Sequence, residues 1–325
     1  MTQDAAPSVW LHALHGAGLH GVSPDGIRLH DAALAEAYEQ SAPEHRACIK
    51  HCLALQHALW GEDCEDATHT RADAARGFCM ARRSRPAPWA LFVVSPDYAA
   101  PTRLAAALMP ALLARVPQVA LLCVGGMPSV PVRLALELTG VQDIFCLGGT
   151  PSTERPERPE RAERTGGAGG AGKSASALAR DPLEMAACWL RGLAGLGANA
   201  SPAPWPLHDG CVALLHHGEL DPLAQAARAL SLPLWEEHTA PRVFDATRGP
   251  LVAFCHPDAC GDDTAHSDGP CHAVFGVPDA ESPHTLAAPL RVAEGMEGFW
   301  LHNTLSPDFF RRHSTRMTPY TGDDA

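Results

Sequence analysis

Lysine is almost missing from this chain. Of its 25 basic residues only Lys50 and Lys173 are lysine; the rest are arginine. Acidic residues number 37, and the net charge is −12. With no basic stripe, the sequence makes a poor partner for nucleic acid or an anionic membrane. Long apolar runs are missing too: none approaches the ~20 residues that cross a bilayer. Met1-Thr-Gln-Asp4 lacks the basic start and apolar stretch of a secretory signal, which predicts a cytoplasmic protein. The 11 cysteines are scattered and form no C-x2-C pair. A chain this long needs no disulfide staples, so reduced thiols are expected. No G-x-S-x-G nucleophile elbow occurs.

What is present is a core-forming composition. Apolar residues are 46% of 325 residues, enough for a sizeable core and comfortable for two domains. Residues 151–175, PSTERPERPERAERTGGAGGAGKSA, interrupt that composition. Glu/Arg/Pro repetition followed by Gly/Ala buries no apolar surface, so a flexible linker is expected. It divides the chain into a helical region over 1–88 that packs with 176–325, a truncated α/β domain over 89–150, and a second α/β domain over 176–325.

Periodicity supports that division. Leu34, Ala37 and Tyr38 share a helical face, as do Ile49, Cys52, Leu53, Gln56 and Leu59, with Ser41 and Glu44 as a capping box between them. Residues 61–86 read as polar and irregular. Ala90-Leu-Phe-Val-Val94, Val119-Ala-Leu-Leu-Cys-Val124 and Asp143-Ile-Phe-Cys-Leu147 read as buried strands. Helices follow over 102–113, with a break at Pro110, and over 131–138. Continuously apolar strands alternating with helices predict a parallel sheet covered on both faces. Past the linker, helices are expected over 182–193 and 223–230. Strands are expected over 211–215, 250–255, 272–275 and 298–301. The fold class is α/β: two Rossmann-like parallel-sheet layers with an N-terminal helical region.

Several segments, in order, are similar to histidinol dehydrogenase, a zinc- and NAD-linked family. Leu34-Ala-Glu-Ala-Tyr38 with Pro43-Glu44 and Gln56-His57 resembles its N-terminal helical region. Arg85-Pro86, Leu91-Phe-Val-Val94, Ala100-Pro-Thr and Leu108-Met-Pro-Ala111 resemble "RP…GLYVPGG…YPS…LM…PA". Phe145-Cys-Leu-Gly-Gly149 resembles "F.(I/V)GG", and Asp181-Pro182 with Met185-Ala-Ala187 resembles "DP…VAADLL". Leu220-Asp221 and Glu237-His238 resemble "DDLDEA…APEHLE", and Leu305-Ser-Pro-Asp308 resembles "YTPE". The resemblance implies zinc and NAD as cofactors and Glu237 with His238 as the catalytic pair. A carboxylate beside a histidine suits general acid/base work; the plainer reading of 236–238 is a surface turn. The chain also departs from the family. The zinc-binding Gln and His fall on Gly192 and Gly195, and the ligand Asp falls near Arg312. The NAD-touching tyrosine is Phe92, and the Gln of "GGAQA" is Pro151. Glycine offers zinc no side chain.

Three further patterns compete. Gly167 to Ser174 fits G-x-x-x-x-G-K-[ST], but no buried strand precedes it, as a phosphate loop requires. Cys255, His256, Cys260, His266, Cys271 and His272, with Asp262 and Asp263 among them, are candidate metal ligands, against a Gly/Asp-rich surface loop with incidental Cys and His. His45, Cys48 and Cys52 share a helical face, which packing alone explains.

The expected function is a histidinol dehydrogenase-like protein that has lost its zinc and NAD sites and binds a small-molecule ligand or a protein partner, with a homodimer as one form. The alternatives are an active NAD-dependent oxidoreductase and a metal-binding protein using the 255–272 loop. Because 152–175 holds no aliphatic or aromatic side chain beyond Ala and Pro, limited proteolysis is expected to cut first after an arginine between 155 and 164. Protection there while other loops are cut contradicts the linker assignment.

Overall fold

The computed structural model describes residues 10, 27–61, 68–95, 97–148, 181–199, 210–216, 219–237, 243–245, 273–275 and 289–320. The expected linker over 151–175, the phosphate-loop pattern and the expected strand over 250–255 lie outside these residues.

Five parallel strands form the centre. They are β3 (Ala90–Val94), β4 (Val119–Val124), β5 (Asp143–Leu147), β6 (Cys211–Leu215) and β7 (Leu234–Glu237), in spatial order β5-β4-β3-β6-β7. Their residues are apolar throughout because helices cover both faces. Phe92, Val94, Leu121, Ile144, Leu215 and Trp235 enter the core on one side. There they meet α2 (Pro43–Trp60), α3 (Pro101–Leu113) and α4 (Val130–Thr139). Leu91, Val93, Leu122, Phe145 and Leu214 enter the other side, against α5 (Pro182–Asn199) and α6 (Asp221–Ala229). The fold is a Rossmann-like α/β sandwich.

The expected division at the linker does not run through this sheet. β3 pairs directly with β6, Ala90 opposite Cys211 and Val94 opposite Leu215. Strands from both sides of 151–175 therefore share one core. The physical reason is that β3 is apolar on both faces and needs a hydrogen-bonding partner along each edge of its backbone. Left at a sheet edge, it would expose unpaired N–H and C=O groups.

Local signals explain the element ends. Gly140 closes α4 in the left-handed conformation at φ 74°, where a side chain would be strained. Gly210 precedes β6 because a Cβ there would stand 1.9 Å from the Trp89 ring. Ser41 does not cap α2; its Oγ donates to the Ala37 carbonyl at 2.6 Å, closing α1 (Asp31–Gln40) instead. Pro110 does not break α3. The helix runs one turn past it, and Ala114 N–H still bonds the Pro110 carbonyl at 2.9 Å. A proline costs its own donor and crowds the turn before it, but leaves the following turn intact.

Two smaller sheets complete the fold. β8 (Val243–Asp245), β9 (Ala273–Phe275) and β10 (Leu290–Val292) are parallel, with β9 central. β1 (Thr68–Asp73), β2 (Phe78–Pro86) and β11 (Arg311–Pro319) are antiparallel with β2 central, so the segment expected to be irregular is two strands. Its polar sequence hid them: β1 and β11 lie largely exposed, so no apolar alternation marks them. Arginines on the two outer strands, β1 and β11, guard against edge-to-edge pairing. Residues 298–301, expected as a strand, are irregular and carry Trp300 into the core. No helix among the described residues is long and apolar enough to cross a membrane.

Trp189 anchors α5 to the sheet. It is fully buried, meets Phe145 edge-on at 4.8 Å and Trp10 at 6.3 Å, and donates to the Trp10 carbonyl at 3.2 Å. Trp189→Ala is expected to cost ~3–5 kcal/mol, read as a lower denaturant midpoint at unchanged slope. A loss under ~1 kcal/mol contradicts this packing.

Candidate functional site at the carboxyl edge of the sheet

Strand order reverses between β3 and β6. Connections from neighbouring strands leave there to opposite faces, opening a crevice at the carboxyl ends where α/β sheets receive ligands. Backbone bonds place three residues in a row along it. Ser95 N–H bonds the Leu215 carbonyl at 3.5 Å, and His216 N–H bonds the Glu237 carbonyl at 3.3 Å. Ser95 follows β3, His216 follows β6 and Glu237 ends β7.

The strongest interaction there is an ion pair between Arg103 and Glu237. Arg103 sits in the first turn of α3 and is only 2% exposed; Glu237 is 10% exposed. The guanidinium also lies over the Trp300 ring, 5.4 Å from its centroid. Glu237 Oε1 is taken by Arg103, and Oε2 has no partner. Ser95 Oγ and Tyr98 OH are buried without partners. Burial pushes the Tyr98 phenol up to about 12, with the nearby Arg103 charge opposing, so the hydroxyl keeps its proton and remains a donor.

His302 supports this arrangement from behind. Its Nε2 lies 3.0 Å from the Arg103 carbonyl, and Nδ1 lies 3.4 Å from Trp300 Nε1. A carbonyl only accepts and an indole N–H only donates, so the proton sits on Nε2. Burial pulls His302 down to about 3, with the Arg103 carbonyl opposing the shift. The ring is therefore a neutral brace. Trp235 packs edge-on against it at 4.9 Å and donates to Thr304 Oγ1 at 2.9 Å. The Trp300 carbonyl accepts from Gln56 Nε2 at 2.8 Å and from the Cys52 thiol at 3.7 Å. Burial holds that thiol up at about 12, so it stays protonated.

Of the residues singled out in the sequence, Glu237 is here. His238 and all six loop candidates, Cys255, His256, Cys260, His266, Cys271 and His272, lie outside the described residues. Gly192 and Gly195 are in α5. Arg312 is in β11, donating to the Gly210 carbonyl at 3.0 Å beside Cys211 Sγ at 3.1 Å. That is the amino end of β6, while Glu237 ends β7 at the carboxyl edge, so these positions do not converge. Sequence reasoning missed Arg103, Ser95, Tyr98, Trp300 and His302. One signal was legible: Arg103 is the single charged residue in α3, PTRLAAALMPALL. A lone charge in an apolar helix demands a buried partner.

Zinc and NAD do not fit what is here. Among the described residues no three His, Cys, Asp or Glu side chains gather to hold a metal. The turn from β3 into α3 carries no glycine to let a pyrophosphate approach the backbone. Its first helical turn is filled by buried Thr102 and Arg103, with the Cys48 thiol 3.7 Å from Thr102 Oγ1.

No family model matches the chain, and no curated protein matches it. Among solved structures it is similar to histidinol dehydrogenase from Elizabethkingia anophelis, at 13% identity and a TM-score of 0.40, over 98% of this chain and 86% of that one. It is similar to an indole-3-acetaldehyde dehydrogenase in apo form at 10% identity and a TM-score of 0.39, over 93% and 87% of the two chains. A benzaldehyde dehydrogenase from Corynebacterium glutamicum, described as NAD-dependent, matches at 12% identity and a TM-score of 0.29, over 69% of this chain and 48% of that one. These likenesses are distant and assign no role to any residue.

Removing one partner of the ion pair takes this opposite charge away from the buried group that remains. Arg103→Met or Glu237→Leu is expected to cost ~3–5 kcal/mol in denaturant unfolding, and the double variant much less than the sum. Additive losses would show the pair to be uncoupled. His302 also sets a pH dependence. Its unfolded imidazole takes a proton near ~6.5 and its folded one only near 3. The stability this provides is complete above ~6.5 and falls as pH drops toward 3, by up to ~1.4 kcal/mol per pH unit. His302→Asn is expected to flatten that slope; an unchanged slope assigns it to other groups.

Proposed function

We propose that this chain is a non-catalytic binding protein on a dehydrogenase-like α/β scaffold. It takes a small polar ligand, one bearing hydroxyl or amino hydrogens, at the carboxyl edge of the five-stranded sheet. One observation carries this reading. The carboxylate that the histidinol dehydrogenase resemblance implies as a base is committed to Arg103. Protonating Glu237 would break a buried ion pair, and a general base must accept a proton in every cycle. What remains around the pair is recognition chemistry: Glu237 Oε2 accepts, while the Ser95 and Tyr98 hydroxyls donate or accept. Three buried, unpartnered polar atoms at a topological switch point are what a ligand would satisfy. The positions at Gly192, Gly195 and Arg312 supply no metal to hold a reacting alcohol.

Metal content and NADH formation on adding histidinol test the catalytic side. Neither stoichiometric zinc nor NADH is expected; one zinc per chain with turnover overturns the reading. Zinc without turnover, lost when Cys255, Cys260 or Cys271 becomes Ser, assigns the metal to the loop instead. Thermal shift against amino alcohols and polyols tests binding. A ligand at ~100 times its Kd is expected to add ~2.7 kcal/mol of stability. The Ser95→Ala, Tyr98→Phe double variant should lose that gain, and a gain unaffected by it places the ligand elsewhere.

A further inference from the structure

Cys123 of β4 and Cys146 of β5 are register partners on adjacent parallel strands. Side chains directly opposite each other in a sheet point to the same face, so both sulfurs lie on the side covered by α2, α3 and α4. Neighbouring strands run ~4.8 Å apart, inside the ~4.4–6.8 Å separation of α-carbons that a disulfide bridges. The two are unequal in access: Cys123 is fully buried, Cys146 only partly. The neighbouring Cys123 thiol draws the Cys146 thiol below its ordinary range, against its own partial burial, while burial holds Cys123 well above. One thiol is therefore reachable and inclined to ionise, and the other waits beside it protonated.

The other described cysteines lack this arrangement. Cys48 and Cys52 are buried on α2 and directed at Thr102 and the Trp300 carbonyl. Cys211 is buried against the Phe309 carbonyl and Arg312.

We propose that Cys123 and Cys146 form an oxidation-sensitive dithiol site that reacts with small peroxides and closes reversibly to a disulfide. The Cys146 thiolate attacks one peroxide oxygen; an S–O bond forms, the O–O bond breaks, and the departing hydroxide takes a proton from solvent. The Cys123 sulfur then attacks the Cys146 sulfenic acid. An S–S bond forms, the S–O bond breaks, and the hydroxyl leaves as water with the Cys123 proton. Two thiols have lost two electrons and two protons, and one hydrogen peroxide has become two waters. A dithiol such as dithiothreitol returns both electrons and both protons. The bond would pin β4 to β5 beside Gly125, whose N–H already bonds the Leu147 carbonyl at 2.6 Å.

The test treats the native full chain with hydrogen peroxide, blocks remaining thiols under denaturing conditions, and maps peptides by mass spectrometry. A Cys123–Cys146 linked peptide is expected, two hydrogens lighter than the separate peptides and reversed by dithiothreitol. In Cys123→Ser, dimedone should trap a lasting sulfenic acid on Cys146. In Cys146→Ser, or Cys146→Ala should the hydroxyl disturb folding, Cys123 should stay fully alkylated. Linked peptide should form faster as pH rises. The proposal is overturned if both cysteines remain alkylated after peroxide, if either links mainly to another cysteine, or if dimedone marks Cys123 first.

Discussion

A buried guanidinium paired with a carboxylate fixes how this chain is put together. Arg103 is almost fully enclosed, and charge in such a setting persists only when it is paired. Glu237 supplies the pairing from the end of β7, and Trp300 covers the cation's face. Those three residues come from a helix after the first sheet strand, from the last sheet strand, and from the loop leading to β11. One local requirement thus binds together segments far apart in sequence. His302 and Trp235 then brace the pair, and Gln56 ties the same loop to α2.

The parallel sheet supplies the geometry for everything else. Its order places β3 beside β6, which creates the crevice and brings Ser95, His216 and Glu237 to one edge. The same register sets Cys123 opposite Cys146, with β3 and β6 lying between them and the strand of Glu237. Polar groups in the crevice and thiols in the core are products of one alignment. Two core clusters, one on each face, hold that alignment rigid. Because the thiol pair is built from strands already hydrogen-bonded to each other, closing it asks little movement of the backbone. The crevice, in contrast, keeps the Ser95, Tyr98 and Glu237 oxygens buried without partners, which is costly.

Much of the fold was written in local pattern. Apolar five- and six-residue runs bounded by Gly or Pro mark β3, β4, β5 and β6, and helical spacing marks α1, α2, α4 and α6. These signals are strong because burial on both faces of a parallel strand leaves no polar position to blur them. β1, β2 and β11 were illegible for the opposite reason. Polar residues dominate the largely exposed β1 and β11, and β2 between them is mostly half-buried, so their pairing is held by backbone bonds that composition does not report. Of the site, Glu237 was visible through its neighbour in sequence; Arg103 was missed, although a lone charge in an apolar helix marked it.

By itself the sequence determined the class: an acidic, core-forming α/β chain with parallel strands covered on both sides. Hydrophobic period is a local property, and local properties survive reading one segment at a time. Which strand lies beside which depends on pairings across more than a hundred residues, and no local pattern encodes them. Only the tertiary structure joined β3 to β6 across the expected linker, and only it set Glu237 against Arg103. The same carboxylate reads as a base when seen beside His238 in sequence, and as half of a buried ion pair when seen beside Arg103 in space. The partner decides its chemistry, because an opposite charge within contact, in the absence of water, outweighs whatever stands next to it along the chain.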